Sequence, residues 1–140
     1  PEMTAKVYHP GPYPALRWLR SGDDFRRDED GFLYFLGRKD DMIKTRGERV
    51  SPKEVENVVC EMADVAEAAV VGVPDEILGR AIKAFVVSRT DELDEKAVFR
   101  HCVQRLEPFM VPKYVEVVAE LPRTAHGKVS KRELQTAEEK

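Results

Sequence analysis

Residues 122–134, PRTAHGKVSKREL, crowd Arg123, Thr124, His126, Lys128, Lys131 and Arg132 around a single glycine, Gly127, in a chain whose formal net charge is −3. A lysine directly after a glycine stands on backbone with few steric constraints. Its ammonium is a compact point charge on a flexible stem, suited to a phosphoryl oxygen or a carboxylate. The spacing does not make a Walker phosphate loop, because Pro122 stands where the first glycine belongs and Val129 replaces the hydroxyl residue. Two bland readings compete: a solvated tail, or a weak nucleic-acid patch, which predicts salt-sensitive retention on DNA. No other chemical constellation is visible. Cys60 and Cys102 share no metal spacing with the scattered His9, His101 and His126, and no Cys/His nucleophile pattern appears. Each cysteine has apolar neighbours at helical spacing, so both are expected to be buried, inert thiols.

The loop must be held by a fold, and the elements are legible upstream of it. MIKTRGERV reads as two short strands around a turn at Arg46-Gly47. A helix then starts with Ser51 as cap, Pro52 at the first helical position and Glu54 as the partner in a capping box, with Val55, Val58, Val59 and Met62 on one face. VAEAAVVGV and AIKAFVVSR are β-rich and are expected to be buried on at least one side. A second amphipathic helix is expected from about Asp94 to Leu106, a third strand over YVEVVAEL, and a last helix over Lys131 to Glu138. The order implies an α+β fold, a small, mainly antiparallel sheet with flanking helices. Residues 1–39 differ. Pro1, Pro10, Pro12 and Pro14 demand extended or turning backbone, and a turn at Asp30-Gly31 before the apolar run Phe32 to Leu36 signals a β-hairpin, which cannot stand alone in water. The expected organisation is a hairpin-bearing end of a larger domain over 1–39 and a small domain over 40–140.

Composition excludes several classes. With 42% apolar and 35% charged residues among 140, the chain is of globular type and long enough for a real core. No apolar stretch approaches the ~18 residues of a membrane helix, and the first thirty or so lack a signal-peptide pattern, so a cytoplasmic setting is expected. The acidic balance argues against nucleic-acid binding.

GRKDDMIKTRGERVSPKEVE from Gly37 to Glu56, preceded by RSGD at Arg20 to Asp23 and followed by PRTAHGKVSKREL, resembles the closing segments of the AMP-forming adenylating enzymes: acyl-CoA synthetases, peptide-synthetase adenylation domains and firefly luciferase. VVGVPDE and AIKAFVV are also similar to that superfamily, so the resemblance covers almost the whole chain. It implies a C-terminal lid preceded by the end of the large N-terminal domain. Asp23 then matches the aspartate that grips the ribose hydroxyls of ATP, although an aspartate after Ser-Gly also fits a turn or cap. Arg38 matches an arginine near ribose and phosphate, and otherwise reads as a surface ion pair. Asp40 matches the hinge, whose role is a change of backbone dihedral. Lys128 matches the lysine that enters the cleft as carboxylate attacks the α-phosphate of ATP, where a fixed cation offsets concentrating anionic charge. After rotation the same cleft receives residues 43–49, with Gly47 letting backbone approach a pantetheine arm and Lys44 and Arg46 near that channel, an edge-strand solubilising role being the alternative for either.

The resemblance implies ATP, Mg2+ and CoA for the full-length enzyme, with none bound tightly by this piece. The expected partners are its own N-terminal domain and a carboxylic acid, ATP and CoA or a carrier protein, with no nucleic acid and no membrane span. Met42 and Pro52-Lys53 look more like acyl-CoA synthetases than peptide-synthetase domains, which often carry glutamine and Gly-Glu there. The lid of a peptide-synthetase domain, or a standalone docking module for a carrier protein, are the alternatives. His126 and Arg80 depart from the superfamily pattern. The acyl pocket and most of the ATP site have no counterpart in these residues, so the piece alone is not expected to form acyl-AMP.

Overall fold

A computed structural model describes residues 8–13 and 17–138, and the chain divides into two compact units, Pro1–Asp40 and Asp41–Lys140. Pro1 and Pro14 of the proline-rich start lie outside the described residues, as does the side chain of Asp40. In the first unit β1 (Tyr8–Pro10) pairs antiparallel with β2 (Arg17–Leu19), and β3 (Asp23–Arg27) with β4 (Leu33–Arg38). The β3–β4 connection is longer than a two-residue turn because the Asp28 carboxylate organises it. It accepts the N–H of Asp30 at 3.0 Å, the N–H of Phe32 at 2.9 Å and the Tyr34 hydroxyl at 2.9 Å. Phe25 and Phe35 meet edge to face at 5.6 Å, yet both are about half exposed, and Phe32 and Leu33 are about two thirds exposed. The hairpin forms but does not close a core of its own.

The second unit is the better packed. Its first element is a hairpin of β5 (Ile43–Thr45) and β6 (Glu48–Val50), turning through Arg46 at φ 53° and Gly47 at φ 78°. Positive φ at both central residues matches the right-handed twist of the strands, and among the described residues Arg46 alone adopts it without being glycine. Helix α1 (Pro52–Cys60) begins where expected, but not by a capping box. Ser51 holds the cap position without a side-chain cap bond, and Pro52, with φ preset for helix, opens the first turn.

A three-stranded sheet forms the centre: β7 (Val65–Asp75) and β8 (Gly79–Ser88) are antiparallel, and β9 (Tyr114–Val118) joins β8 in parallel. That parallel step needs a crossover, which α2 (Glu95–Arg105) supplies, capped by the Asp94 carboxylate on the N–H of Lys96. Alternation along the strands sends side chains both ways. Val70, Ile82, Ala84 and Val86 pack with Val55, Val59, Val98 and Cys102 of α1 and α2, while Ala69, Val71, Val73, Ala81 and Phe85 pack with Leu121 and Leu134, the latter on α3 (Lys131–Glu138). The strands are therefore covered on both faces, and the fold is α+β, with helices on a small sheet.

Cys102 is fully buried, and burial pushes its thiol up to about 11. Cys60 corrects the sequence reading: it is exposed, because one residue beyond the buried Val59 the helix has turned ~100° away from the core. Gly72 is a close-approach glycine: a Cβ there would meet Ile43 Cγ2 at 3.1 Å and Arg80 Nε at 3.2 Å. Arg80 donates from Nη2 to the Gly72 carbonyl at 3.3 Å, so its departure from the superfamily pattern has a packing role. Among the described residues no helix is long and apolar enough to cross a membrane.

Candidate functional site

The basic run is a tight loop between the sheet and α3. Arg123 and Val129 form an antiparallel bridge, Thr124 N–H donates to the Lys128 carbonyl at 2.7 Å, and Ser130 N–H donates to the Pro122 carbonyl at 2.8 Å. The turn closes with Gly127 N–H on the Thr124 carbonyl at 2.9 Å and Gly127 at φ 82°, a conformation that excludes most side chains. Val129 packs on the core cluster beneath α3 and fixes the returning arm.

Charge within the loop is sorted by these contacts. Arg123 donates from Nη1 to the Gly127 carbonyl at 3.2 Å and pairs through Nη2 with the Glu67 carboxylate on β7. Lys131 Nζ lies 2.6 Å from Glu56 Oε1, the oxygen that also accepts the Val70 N–H at 3.0 Å. Arg132 and His126 are exposed. The Lys128 side chain is exposed too, and makes no hydrogen bond or ion pair with any described residue. The run is thus not a uniform basic patch: Arg123 and Lys131, on either side of its tip, are neutralised by carboxylates of the fold, while the Lys128 ammonium at the tip and the exposed Arg132 on α3 have no carboxylate partner among the described residues.

The first unit brings Asp23 and Arg38 together. They are register partners at the ends of β3 and β4, with Arg38 Nε 3.8 Å from Asp23 Oδ1. Ser21 Oγ accepts the Asp23 N–H at 3.3 Å, the local turn that Ser-Gly-Asp also allowed, and Lys39 N–H reaches the Gly22 carbonyl at 2.7 Å. Asp40 falls in a 3-10 turn, Lys39–Asp41, where the two compact units divide.

In the second unit Lys44 stands exposed opposite Arg49, flanked by the buried Ile43 and Thr45. A Cβ on Gly47 would meet nothing within 4 Å, so inside this chain the glycine answers to its φ of 78° and to no neighbour. Thr45 and Arg46 also line a pocket of about 430 Å³ with Ile82, Phe99, Val103 and Phe109. Lys113, on its rim, pairs with Asp75 Oδ2 at 2.6 Å. That hydrogen bond, with the backbone N–H groups of Leu78 and Ile77, lowers the Asp75 carboxyl to about 2. Among the described residues no group of three or more His, Cys, Asp or Glu could hold a metal ion.

Glu56 and Glu67 escaped the sequence reading. Glu56 left a trace, since a charged residue between Val55 and Val59 on a core-facing helix is out of place unless paired. Glu67 left none, because VAEAAV alternates as an ordinary strand.

The AMP-binding enzyme C-terminal domain family matches residues 54–128. Crotonobetaine/carnitine–CoA ligase of Escherichia coli is 43% identical over 135 residues, which are 96% of this chain and 25% of the ligase. The chain therefore spans about a quarter of the length of the curated relatives it matches. Among solved structures, ATP-bound MatB from Rhodopseudomonas palustris superposes with a TM-score of 0.83 at 34% identity, over 97% of this chain and 26% of that one. The amide bond synthetase McbA from Marinactinospora thermotolerans gives 0.86 at 37% identity, over 97% and 27%.

Proposed function

Because this chain belongs to the AMP-binding enzyme C-terminal domain family, we propose that it is the lid of an ATP-dependent, AMP-forming acid–thiol ligase, an acyl-CoA synthetase whose large domain lies outside these residues. In the first half reaction a carboxylate oxygen attacks the α-phosphorus of ATP, the bond to pyrophosphate breaks, and acyl-AMP forms. Two anions must approach each other. The Lys128 ammonium, brought to the cleft, offsets the charge that gathers on the phosphoryl oxygens, a contribution whose loss costs on the order of 10²- to 10³-fold. In the second half reaction the thiol of CoA attacks the acyl carbonyl, loses its proton, and AMP departs as the acyl–oxygen bond breaks.

One observation carries this reading: Lys128 stands exposed at the tip of the loop, directly after Gly127, with no ion pair among the described residues, while Arg123 and Lys131 on either side of the tip are held by Glu67 and Glu56. The remaining roles are assigned beside it. Asp23 accepts hydrogen bonds from the ribose hydroxyls and Arg38, its cross-strand neighbour, attends the ribose and phosphate. Asp40 is the hinge, between units 1–40 and 41–140. Residues 43–49 face the pantetheine channel, Lys44 at its side and Gly47 in the turn. With no metal-binding cluster among the described residues, a magnesium ion would travel with the ATP phosphates and take its protein ligands from the large domain. The half-exposed aromatic residues of the β3–β4 hairpin favour a piece of a larger body over a standalone docking module. The setting we assign is the cytoplasm.

The test is a pyrophosphate-exchange screen of the full-length enzyme over quaternary-ammonium, fatty, aromatic and amino acids, with and without CoA. Exchange with an acid that is then consumed with CoA is the expected result. Amino-acid activation without CoA use would place the lid in a peptide synthetase, and no exchange with any acid would overturn the adenylating role.

A further inference from the structure

We infer that Glu56 and Lys131 form a clamp that positions Lys128 for acyl-AMP formation and is idle in thiol transfer. The inference rests on the role proposed for Lys128 and adds residues that never meet the substrate.

The geometry begins at the sheet edge. β7 is an edge strand, paired only with β8 among the described strands, so its outer N–H groups need partners. Glu56, on α1 and 9% exposed, supplies one by accepting the Val70 N–H at 3.0 Å. The same oxygen lies 2.6 Å from Lys131 Nζ. One carboxylate thus ties a helix on one face of the sheet to the first residue of α3 on the other.

Lys131 is a poor residue for that place on local grounds. A cation in the first turn of a helix opposes the helix dipole, and although lysine is a good helix former, any of several uncharged or acidic residues would serve propensity there as well. What it does is anchor the chain three residues after Lys128, while Arg123, bound to Glu67 and to the Gly127 carbonyl, anchors it on the other side. Between those anchors the tip holds its shape through the Thr124 to Lys128 and Ser130 to Pro122 bonds. The ammonium of Lys128 thereby leaves from a fixed base rather than from a loose tail. Placement matters to this degree because catalytic groups displaced by about 1 Å lose on the order of 10²-fold in rate. Glu56 and Lys131 are positioning residues: they act through Lys128 alone, so they matter only in the half reaction that uses it.

The experiment uses the full-length enzyme and separates the half reactions. Acyl-AMP formation is followed by pyrophosphate release in single turnover, with the acid giving the fastest exchange in a panel that starts from crotonobetaine and carnitine. Thiol transfer is followed by mixing preformed acyl-AMP with CoA. Glu56→Gln keeps an oxygen for the Val70 N–H and removes the charge, and Lys131→Met keeps the stem and removes the ammonium. Each should slow acyl-AMP formation about tenfold at saturating ATP, with KM for ATP and the thiol-transfer rate within about twofold of the parent. Lys131→Arg, which can keep the pair, should restore most of the first rate. Equal slowing of both half reactions would show a merely structural pair and overturn the clamp. So would an unchanged first half reaction in both variants while Lys128→Ala is impaired. An undiminished Lys128→Ala enzyme would remove the lysine's role and the clamp with it.

Discussion

Two small loops of the second unit solve the same geometric problem in different ways. Each is a tight antiparallel turn with a glycine near φ 80° and a lysine near it in sequence: Gly47 at 78° with Lys44 three residues before it, and Gly127 at 82° with Lys128 directly after it. The β5–β6 hairpin is held by burial. Ile43 and Val50, 4% and 1% exposed, face each other in register and enter the core under α1. The Lys128 loop is held by its own backbone hydrogen bonds and, at its root, by charge, through Arg123 to Glu67 and Lys131 to Glu56, with Val129 as its apolar anchor. Burial fixes a backbone against the sheet, whereas ion pairs at the root of a loop fix it while leaving its tip in water. The proposed roles match the two constructions: a surface that presses against another body suits the first, and a single ammonium that reaches across a cleft suits the second.

The largest test of this contrast is Ile43→Ala. Removing a buried isoleucine should cost about 2–5 kcal/mol, read as a lower urea midpoint of the 140-residue chain. Arg123→Met, cutting a pair in which both side chains are about two-fifths exposed, should cost less than about 1 kcal/mol in the same assay. Equal costs would erase the distinction. Next come Gly47→Ala and Gly127→Ala. Neither Cβ would meet an atom within 4 Å, so only the left-handed backbone is strained, and each change should cost about 1–2 kcal/mol. A much larger cost at either site would mean that the glycine serves packing.

The smallest effect concerns pH and the pocket beside the β5–β6 hairpin. Asp75 is lowered from 3.8 to about 2, first by its hydrogen bond from Lys113 and then by the Leu78 and Ile77 N–H groups. A carboxyl with a depressed folded pKa stabilises the fold above its unfolded value, and that stabilisation fades as pH falls through the folded one. Asp75→Asn should therefore lower the urea midpoint by a constant amount from pH 5 to 7, with the gap to the parent closing between about pH 4 and pH 2. A gap independent of pH down to 2 would show that the charge is not what matters.

Much of the second unit was legible because its signals are local. The helices over residues 52–60, 95–105 and 131–138, the Arg46-Gly47 turn and the β-rich runs all follow from spacing, caps and turn chemistry. Pairing was not legible. Nothing in YVEVV says that it joins β8 in parallel, and the two-sided burial of β8 depends on helices distant in sequence. Ser51 shows the limit of motif reading, since the spacing of a capping box was present and the bond was not. Cys60 shows the limit of apolar context, which placed an exposed thiol in the core. At the site, the spacing of the lysine after the glycine left a solvated tail open, and the resemblance to the adenylating enzymes is what singled Lys128 out. The clamp and the Arg123–Glu67 pair could not be read from the chain, because Glu56 and Glu67 meet Lys131 and Arg123 only once the sheet has formed.

The role of Lys128 is tested most directly by the ratio of the two half-reaction rates in the full-length enzyme carrying Lys128→Ala. A delivered ammonium predicts that acyl-AMP formation falls on the order of 10²- to 10³-fold while transfer from preformed acyl-AMP to CoA stays within about twofold. An unchanged ratio, with both rates intact or both lowered together, would contradict it.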